Sequence, residues 1–351
     1  MYFDIAKEKF EKLKTKENVI VLSIESSCDE TSIAVVKNGR EVLSNIVASQ
    51  IEIHRLYGGV VPEIASRNHI SAISNVYKQA LSEANITESE IDAVAVTYGA
   101  GLVGALMVGV NFAKALAYAL EIPLIAVSHI KGHISANYIT EQNLEPPFVC
   151  LMISGGHTAL LNITSYTTHE LLGTTIDDAV GEAFDKVARV LGLPYPGGPE
   201  VDKLAKLGEN NISFLNHAPL SGSLNFSFSG IKTAVINYVH NKQQKNEEIK
   251  KEDVCASFQN LVANELVNKS MLACKQTGLK KLVIAGGVSA NSMVREKMKE
   301  EGQKNGIDVY FPSLKYCTDN AAMIGSAGYY LIRNGEGLAD LSLTASPTVP
   351  L

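Results

Sequence analysis

The chain has 351 residues, 46% of them hydrophobic and 19% charged, with a formal net charge of -6. This composition excludes a disordered chain, and at roughly 150 residues per domain the length predicts two domains with ample core. The acidic balance argues against a freestanding nucleic-acid binder, so any RNA contact must use a local patch or a partner.

In chain order, the lysine-rich start MYFDIAKEKFEKLKTKEN mixes in acids and reads as a solvated face, as does NKQQKNEEIKK at Asn241–Lys251. It lacks the apolar run of a signal peptide. NVIVLSIESS, TSIAVVKNG and REVLSNIVASQ read as three strands joined by tight turns. VPEIASRNHISAISNVYKQALSEAN has helical periodicity, with Pro62 near its start. IDAVAVTYGAG is a short buried strand. Leu102–Leu120 is the most membrane-like run, but Asn111 and Lys114 interrupt it, so a buried helix of a soluble protein is expected. PLIAVS is a strand, and His129 opens the next helix.

Near residue 147 the pattern restarts. PFVCLMISGGHTALLNITS reads strand, small-residue turn, strand, with HELLGTT a possible third strand. DDAVGEAFDKVARVLGL is a helix, PYPGGPE a loop, and about 203–250 an irregular insertion. A long helix from Asp253, then strand, glycine turn and helix in KKLVIAGGVSANSMVREKMKEEG, lead to a last helix in CTDNAAMIGSAGYYLIRNG. Two halves of similar order predict a duplicated α/β domain, with a cleft between the halves as the default ligand site. The five scattered cysteines (Cys28, Cys150, Cys255, Cys274, Cys317), odd in number and without C-x-x-C, suit the reduced thiols of a cytosolic protein.

The turns carry the chemistry. SIESSCDETS and MISGGHTAL each end a strand in small residues that can aim N–H groups at an anion, and IAGGVSAN places Gly286 and Gly287 before a helix, where phosphate binds readily. Gly-Gly turns are common, and each alone is weak; two at equivalent points of a repeated pattern are stronger. His129 and His133 stand four apart in SHIKGH and can share one metal, or they can be capping or surface histidines. The glutamate of H-E-x-x-H is missing, and two imidazoles need a further ligand, for which Asp319 is a candidate. Asp177, Asp178, Glu182, Asp185, Glu200 and Asp202 crowd one stretch. They form either a solvated face or, with the YPGGPE loop, a cluster converging on a hydroxylated ligand.

SIESSCDETS, GGVVPEIASRNH, SHIKGHISANY, LMISGGHTALL, GTTIDDAVGEAFDKVARVLGLPYPGGP, FSFSGIKTAV, VIAGGVSAN and CTDNAAMIG occur in order. Together they resemble the bacterial TsaD family, the tRNA adenosine threonylcarbamoyltransferases, from about residue 18 to residue 335. The resemblance implies a duplicated actin-like, sugar-kinase-like (ASKHA) fold: an N-terminal extension over 1–17, a first lobe over 18–145, and a second over 146–351 with an insertion near 192–250. It implies transfer of threonylcarbamoyl from threonylcarbamoyl-adenylate to N6 of adenosine 37, in tRNAs reading codons that begin with A, with release of AMP. Implied partners are TsaB-like and TsaE-like proteins and a TsaC-like or Sua-type enzyme that makes the adenylate, in the cytoplasm and away from membranes. Carried over by motif, His129, His133 and Asp319 are metal ligands, for Fe(2+) ahead of Zn(2+). The adenylate is held by Met152, Ile153, Ser154, Gly155, Gly156, Asp185, Gly198, Asp202 and Asn291. Glu25 stands where many relatives of the fold carry an aspartate, and its role is left open. No residue is singled out as general base. The rival readings are a metallopeptidase, a sugar kinase or ATPase, and a silent scaffold.

Overall fold

A computed structural model describes residues 2–214 and 222–350. They form two compact units, Met1–Glu145 with Pro312–Leu351, and Pro146–Phe311. The first unit holds a sheet in the order Leu338–Ala339, Leu124–Ser128, Ala93–Gly99, Ile20–Glu25, Glu30–Lys37, Glu41–Ser49. Ile20–Glu25 pairs antiparallel with the meander on one side and parallel with Ala93–Gly99 on the other.

Alternation along these strands splits the side chains between two cores. Leu22, Ile24, Ile33 and Val35 face the layer containing the helices Pro62–Ala84 and Val103–Leu120. Val21, Ala34 and Val36 face the layer containing Ala321–Asn334. Both faces are covered, which is why these strands read as continuous apolar runs.

The second unit repeats the plan. Its sheet runs Asp308–Tyr310, Lys281–Ala285, Phe148–Ile153, Thr158–Ile163, His169–Thr174. A three-strand antiparallel meander again joins, through its first strand, a parallel neighbour. HELLGTT supplies the third strand of that meander. Phe184, Phe226, Phe228 and Phe258 are fully buried or nearly so in the helical layer.

Three details depart from the sequence expectations. Pro312–Leu351 groups with the first unit rather than the second. The reason is the small-residue face of Ala321–Asn334: a Cβ on Gly328 would lie 2.8 Å from the Ala95 Cβ, and one on Gly325 would lie 2.6 Å from Val36 Cγ2. Only a helix with glycine at these positions lies this close to the first sheet. The N-terminal extension contains the helix Tyr2–Leu13, which buries Ala6, Phe10 and Leu13. The Arg333 guanidinium donates to the Leu13 and Lys14 carbonyls at 3.3 and 2.8 Å. The stretch near 192–250 contains two regular helices, Gly197–Ala205 and Ser229–Gln244, while residues 215–221 lie outside the described part.

Among the described residues one helix, Val103–Leu120, is long and apolar enough to cross a membrane. One of its faces (Ala105, Leu106, Gly109, Val110, Ala113, Ala117) is buried in the first unit, whereas Val103, Met107 and Tyr118 are exposed.

The close approach of Ala321–Asn334 generates a prediction. Gly328→Val should lower stability by about 1–3 kcal/mol through overpacking, read as a lower denaturant midpoint at unchanged slope.

Candidate metal centre and glycine-lined turns

The strand Leu124–Ser128 runs directly into the helix His129–Thr140, so His129 opens the helix and His133 follows one turn later on the same face. Asp319 stands two residues ahead of Ala321–Asn334. That helix start is fixed by side chains of the first sheet: Ala321 N–H donates to Ser32 Oγ at 2.8 Å and Ala322 N–H to Asn45 Oδ1 at 3.1 Å. Asn320 adds the N-cap, accepting from Met323 N–H at 3.1 Å.

Asp319 Oδ1 consequently lies 3.4 Å from His129 Nε2 and 3.2 Å from His133 Nε2. One ligand atom from each residue falls within 4.8 Å of the others. Two imidazole nitrogens and a carboxylate oxygen, converging on one point, are a donor set that fits a divalent transition metal. Both histidines are buried, and the Asp319 side chain keeps 21% of its surface exposed.

The acids of the centre and His129 hold one another charged. Burial opposes ionisation of Asp319, yet His129 and His133 hold its carboxyl far below the usual range. Burial likewise opposes a charged His129, but Asp319 and then Glu25 outweigh it and raise its pKa well above the ordinary 6.5. The centre therefore favours positive charge. Behind it, burial, then the nearby Asp319 and Asp29, push Glu30 up to about 9, so Glu30 is protonated at neutral pH.

In the first small-residue turn, both serine hydroxyls and the Ser27 amide are engaged within the protein. Ser27 N–H donates to Glu25 Oε1 at 2.6 Å, Ser26 Oγ donates to the Ala105 carbonyl at 3.0 Å, and Ser27 Oγ lies 3.2 Å from His129 Nδ1. Ser27, Asp29 and Glu30 were not singled out from the sequence. The acid-hydroxyl density of ESSCDE was the available signal.

In the second unit, the parallel strands Phe148–Ile153 and Lys281–Ala285 end together, with Met152 opposite Ala285. Their glycine turns meet there: a Cβ on Gly286, whose φ is +92°, would lie 2.5 Å from the Ile153 carbonyl oxygen. The turn after Ile153 is closed by Ser154 N–H on the His157 carbonyl at 2.8 Å and His157 N–H on Ser154 Oγ at 3.1 Å. Gly155, Gly156, Gly198 and Gly287 have open space where a side chain would stand. The side chains of Met152 and Ile153 are fully buried.

Asp185 and Asp202 do structural work in this arrangement. Asp185 Oδ1 accepts from Gly197 N–H at 2.8 Å, which pins the first turn of the helix Gly197–Ala205, so the glycines of the expected PYPGGPE loop open a helix instead. Asp202 Oδ1 accepts from Ser292 N–H, Ser292 Oγ and Gln259 Nε2 at 3.1, 2.7 and 3.1 Å. Asn291 donates to Gln259 Oε1 at 3.0 Å and caps Ser292–Asn305 through Val294 N–H. The helix start expected to bind phosphate is thus partly capped from within. Gln259, buried in the middle of a 27-residue helix, is the hub that sequence reasoning missed.

The other acids do not converge on a ligand site. Asp177 accepts from Ser227 Oγ at 2.5 Å, Ser229 Oγ at 2.7 Å and Phe228 N–H at 2.9 Å. Asp178 pairs with Lys186 and Lys232, and Glu182 with Lys186. These pairs fasten the FSFSG segment to the loop before Val180–Val190.

Comparison with known proteins follows this geometry. The family model described as TsaD, tRNA N6-adenosine threonylcarbamoyltransferase, matches residues 41–326. The chain belongs to this family. It is 56% identical over 333 residues to the tRNA N6-adenosine threonylcarbamoyltransferase of Clostridium perfringens, covering 95% of this chain and 98% of that one. To the enzyme of the same name from Clostridium botulinum it is 55% identical over 337 residues, covering 96% and 99%. Among solved structures, full-length HypF in its phosphate- and nucleotide-bound form aligns with a TM-score of 0.60 at 17% identity, over 91% of this chain and 47% of that one. HypF of T. kodakarensis aligns at 0.61 and 15%, over 90% and 48%. These likenesses show the fold, which is the duplicated ASKHA type expected for a threonylcarbamoyltransferase of this family.

The acid knot is testable. Asp177→Ala should speed hydrogen exchange at the Phe228 and Ser229 amides and lower stability by about 1 kcal/mol. Burial opposes ionisation of Asp177, but its serine and backbone donors depress its pKa below 3.8. Its stabilisation is therefore complete above that ordinary value and is lost as pH falls through the depressed one, a loss the variant should lack.

Proposed function

We propose that the chain transfers threonylcarbamoyl from threonylcarbamoyl-adenylate to N6 of adenosine 37, in tRNAs reading codons that begin with A, through a centre of His129, His133 and Asp319. Family membership supplies the reaction, and the observation that carries the site is the convergence of these three donors at the junctions of two helices. His129, His133 and Asp319 would hold a divalent ion, Fe(2+) ahead of Zn(2+), which when bound would supply Lewis-acid chemistry.

The donor adenylate is assigned to the second unit. Gly155, Gly156 and Gly198 leave room for the backbone to approach a phosphate, and Asp185 and Asp202 hold the two helix starts, Gly197 and Ser292, that frame it. The exocyclic amine of adenine attacks the carbonyl carbon. The new C–N bond forms as the bond from that carbon to the phosphate oxygen breaks, the amine loses a proton and AMP leaves. An anticodon loop presents an unstacked base cheaply, which suits a protein that reacts with one adenine.

With a net charge of -6, tRNA affinity is assigned to a composite surface formed with TsaB-like and TsaE-like proteins, the donor coming from a TsaC-like or Sua-type enzyme. The five free cysteines suit a cytoplasmic setting. A metallopeptidase is disfavoured because Ile130, Lys131 and Gly132 fill the positions between the histidines, leaving no general base there.

Reconstitution tests the proposal. The purified chain, partner proteins, ATP, threonylcarbamoyl-adenylate and unmodified tRNA should yield threonylcarbamoyladenosine, detected by mass spectrometry after digestion. The His129→Ala, His133→Ala variant should yield none. Product from the variant would remove the metal from an essential role, and no product from wild type with competent partners would overturn the transferase assignment.

Metal binding should also be pH-dependent. Ligation requires neutral imidazole, and His129 is held protonated to higher pH than an ordinary histidine. Apparent zinc affinity should therefore fall as pH drops from 8 to 6, by up to about tenfold per unit per proton displaced. Titration against a chromophoric chelator at several pH values measures it.

A further inference from the structure

We infer that Glu25 is a positioning residue for the metal centre: its carboxylate holds His129 with the proton on Nδ1, so that the Nε2 lone pair faces Asp319. The inference rests on the metal reading above. Glu25 ends the central strand Ile20–Glu25, and its side chain has no solvent exposure. Oε1 accepts from Ser27 N–H at 2.6 Å, and Oε2 accepts from Thr97 Oγ1 at 2.6 Å. The same Oε2 lies 3.1 Å from His129 Nδ1. An ionised carboxylate can only accept, so the proton between Oε2 and Nδ1 belongs to the imidazole. Nε2, 3.4 Å from Asp319 Oδ1, is then the nitrogen left to ligate. A carboxylate behind a ligating imidazole both orients the ring and strengthens it as a donor.

His133 provides the contrast. Its Nδ1 is buried with no hydrogen-bond partner among the described residues. Only its Nε2 side, 3.2 Å from Asp319 Oδ1, carries a polar contact. The pair is thus asymmetric: His129 has polar partners at both ring nitrogens, whereas His133 has one only on its Asp319 side and is otherwise held by packing, its ring edge-on to His129 at 4.5 Å.

Glu25→Gln separates this role from packing. The two side chains have nearly the same shape, but the amide has one oxygen and one NH2 group. Ser27 N–H is a fixed backbone donor and claims the oxygen. The NH2 group then faces Thr97 and His129. The Thr97 hydroxyl can rotate to accept, but His129 Nδ1 can accept only by giving up its proton, which moves the imidazole hydrogen to Nε2. That hydrogen occupies the ligating position.

The test uses the full-length chain stripped of metal, with zinc as probe. Chelator competition should show Glu25→Gln binding zinc about 10–100-fold more weakly than wild type. Ser27→Ala, which removes the neutral hydroxyl that also approaches His129 Nδ1 at 3.2 Å, should weaken zinc binding less than Glu25→Gln. In 15N spectra, His129 Nδ1 of the zinc-free wild type should remain protonated as pH is raised, any deprotonation occurring at Nε2. Wild-type affinity in folded Glu25→Gln, or an unprotonated Nδ1 in the wild type, would overturn the inference. Should Glu25→Gln fail to unfold cooperatively, the wild-type 15N spectra decide the question alone. Should the wild type itself not bind zinc, the metal reading falls, while the same spectra still decide where the proton sits.

Discussion

The burial of negative charge beneath the end of a β-sheet is the constraint around which the first unit is organised. Glu25 and Asp319 both withdraw carboxylate oxygens from bulk water, and Glu30 beside them takes up a proton. An isolated carboxylate in such a place is costly unless it is paired or richly hydrogen-bonded. Each is satisfied differently. Glu25 collects a backbone amide, a hydroxyl and an imidazole, whereas Asp319 has two imidazoles within reach. The start of Ala321–Asn334, just after Asp319, is tied to the sheet by side chains of its own strands, Ser32 and Asn45. Charge burial and fold are therefore one arrangement, and loosening the sheet edge would expose both at once.

The second unit uses the same strand order for a different kind of surface. Where the first unit fills its strand ends with acids and imidazoles, the second leaves them lined by glycine. Its polar side chains act as braces: Asp185 on the start of Gly197–Ala205, and Asp202, Gln259 and Asn291 on the start of Ser292–Asn305. Duplication supplied one scaffold twice, and the residues at equivalent strand ends diverged into a charged centre and an open backbone cradle.

How much of this could be read from the chain follows from the range of each interaction. The histidine pair was legible because a helical turn fixes the relation between residues four apart. The repeated meander was legible because the strands are local and their periodicity survives in the sequence. Asp177 and Asp178 were misleading because their partners at Ser227, Ser229 and Lys232 lie 50 or more residues away. The role of Glu25 was hidden for the same reason, since His129 is 104 residues distant and reaches it only through sheet pairing. Gln259 belongs to no motif at all. The affiliation of Pro312–Leu351 was obscured because a repeat counted along the chain assigns the last helix to the last unit, whereas its glycine face fits the first sheet.

That affiliation has a consequence for how the protein is made. The first sheet is interrupted in the chain by the whole of the second unit and is completed only by Pro312–Leu351. A ribosome emits His129 and His133 long before Asp319, and at roughly 5–20 residues per second the interval is on the order of 10–40 s. During that time the second unit can fold as a contiguous piece, while the first waits with one face of its sheet uncovered and its buried acids without their last partner. The histidine–aspartate centre can close only after Asp319 has been made, by which time the whole of the second unit has been synthesised.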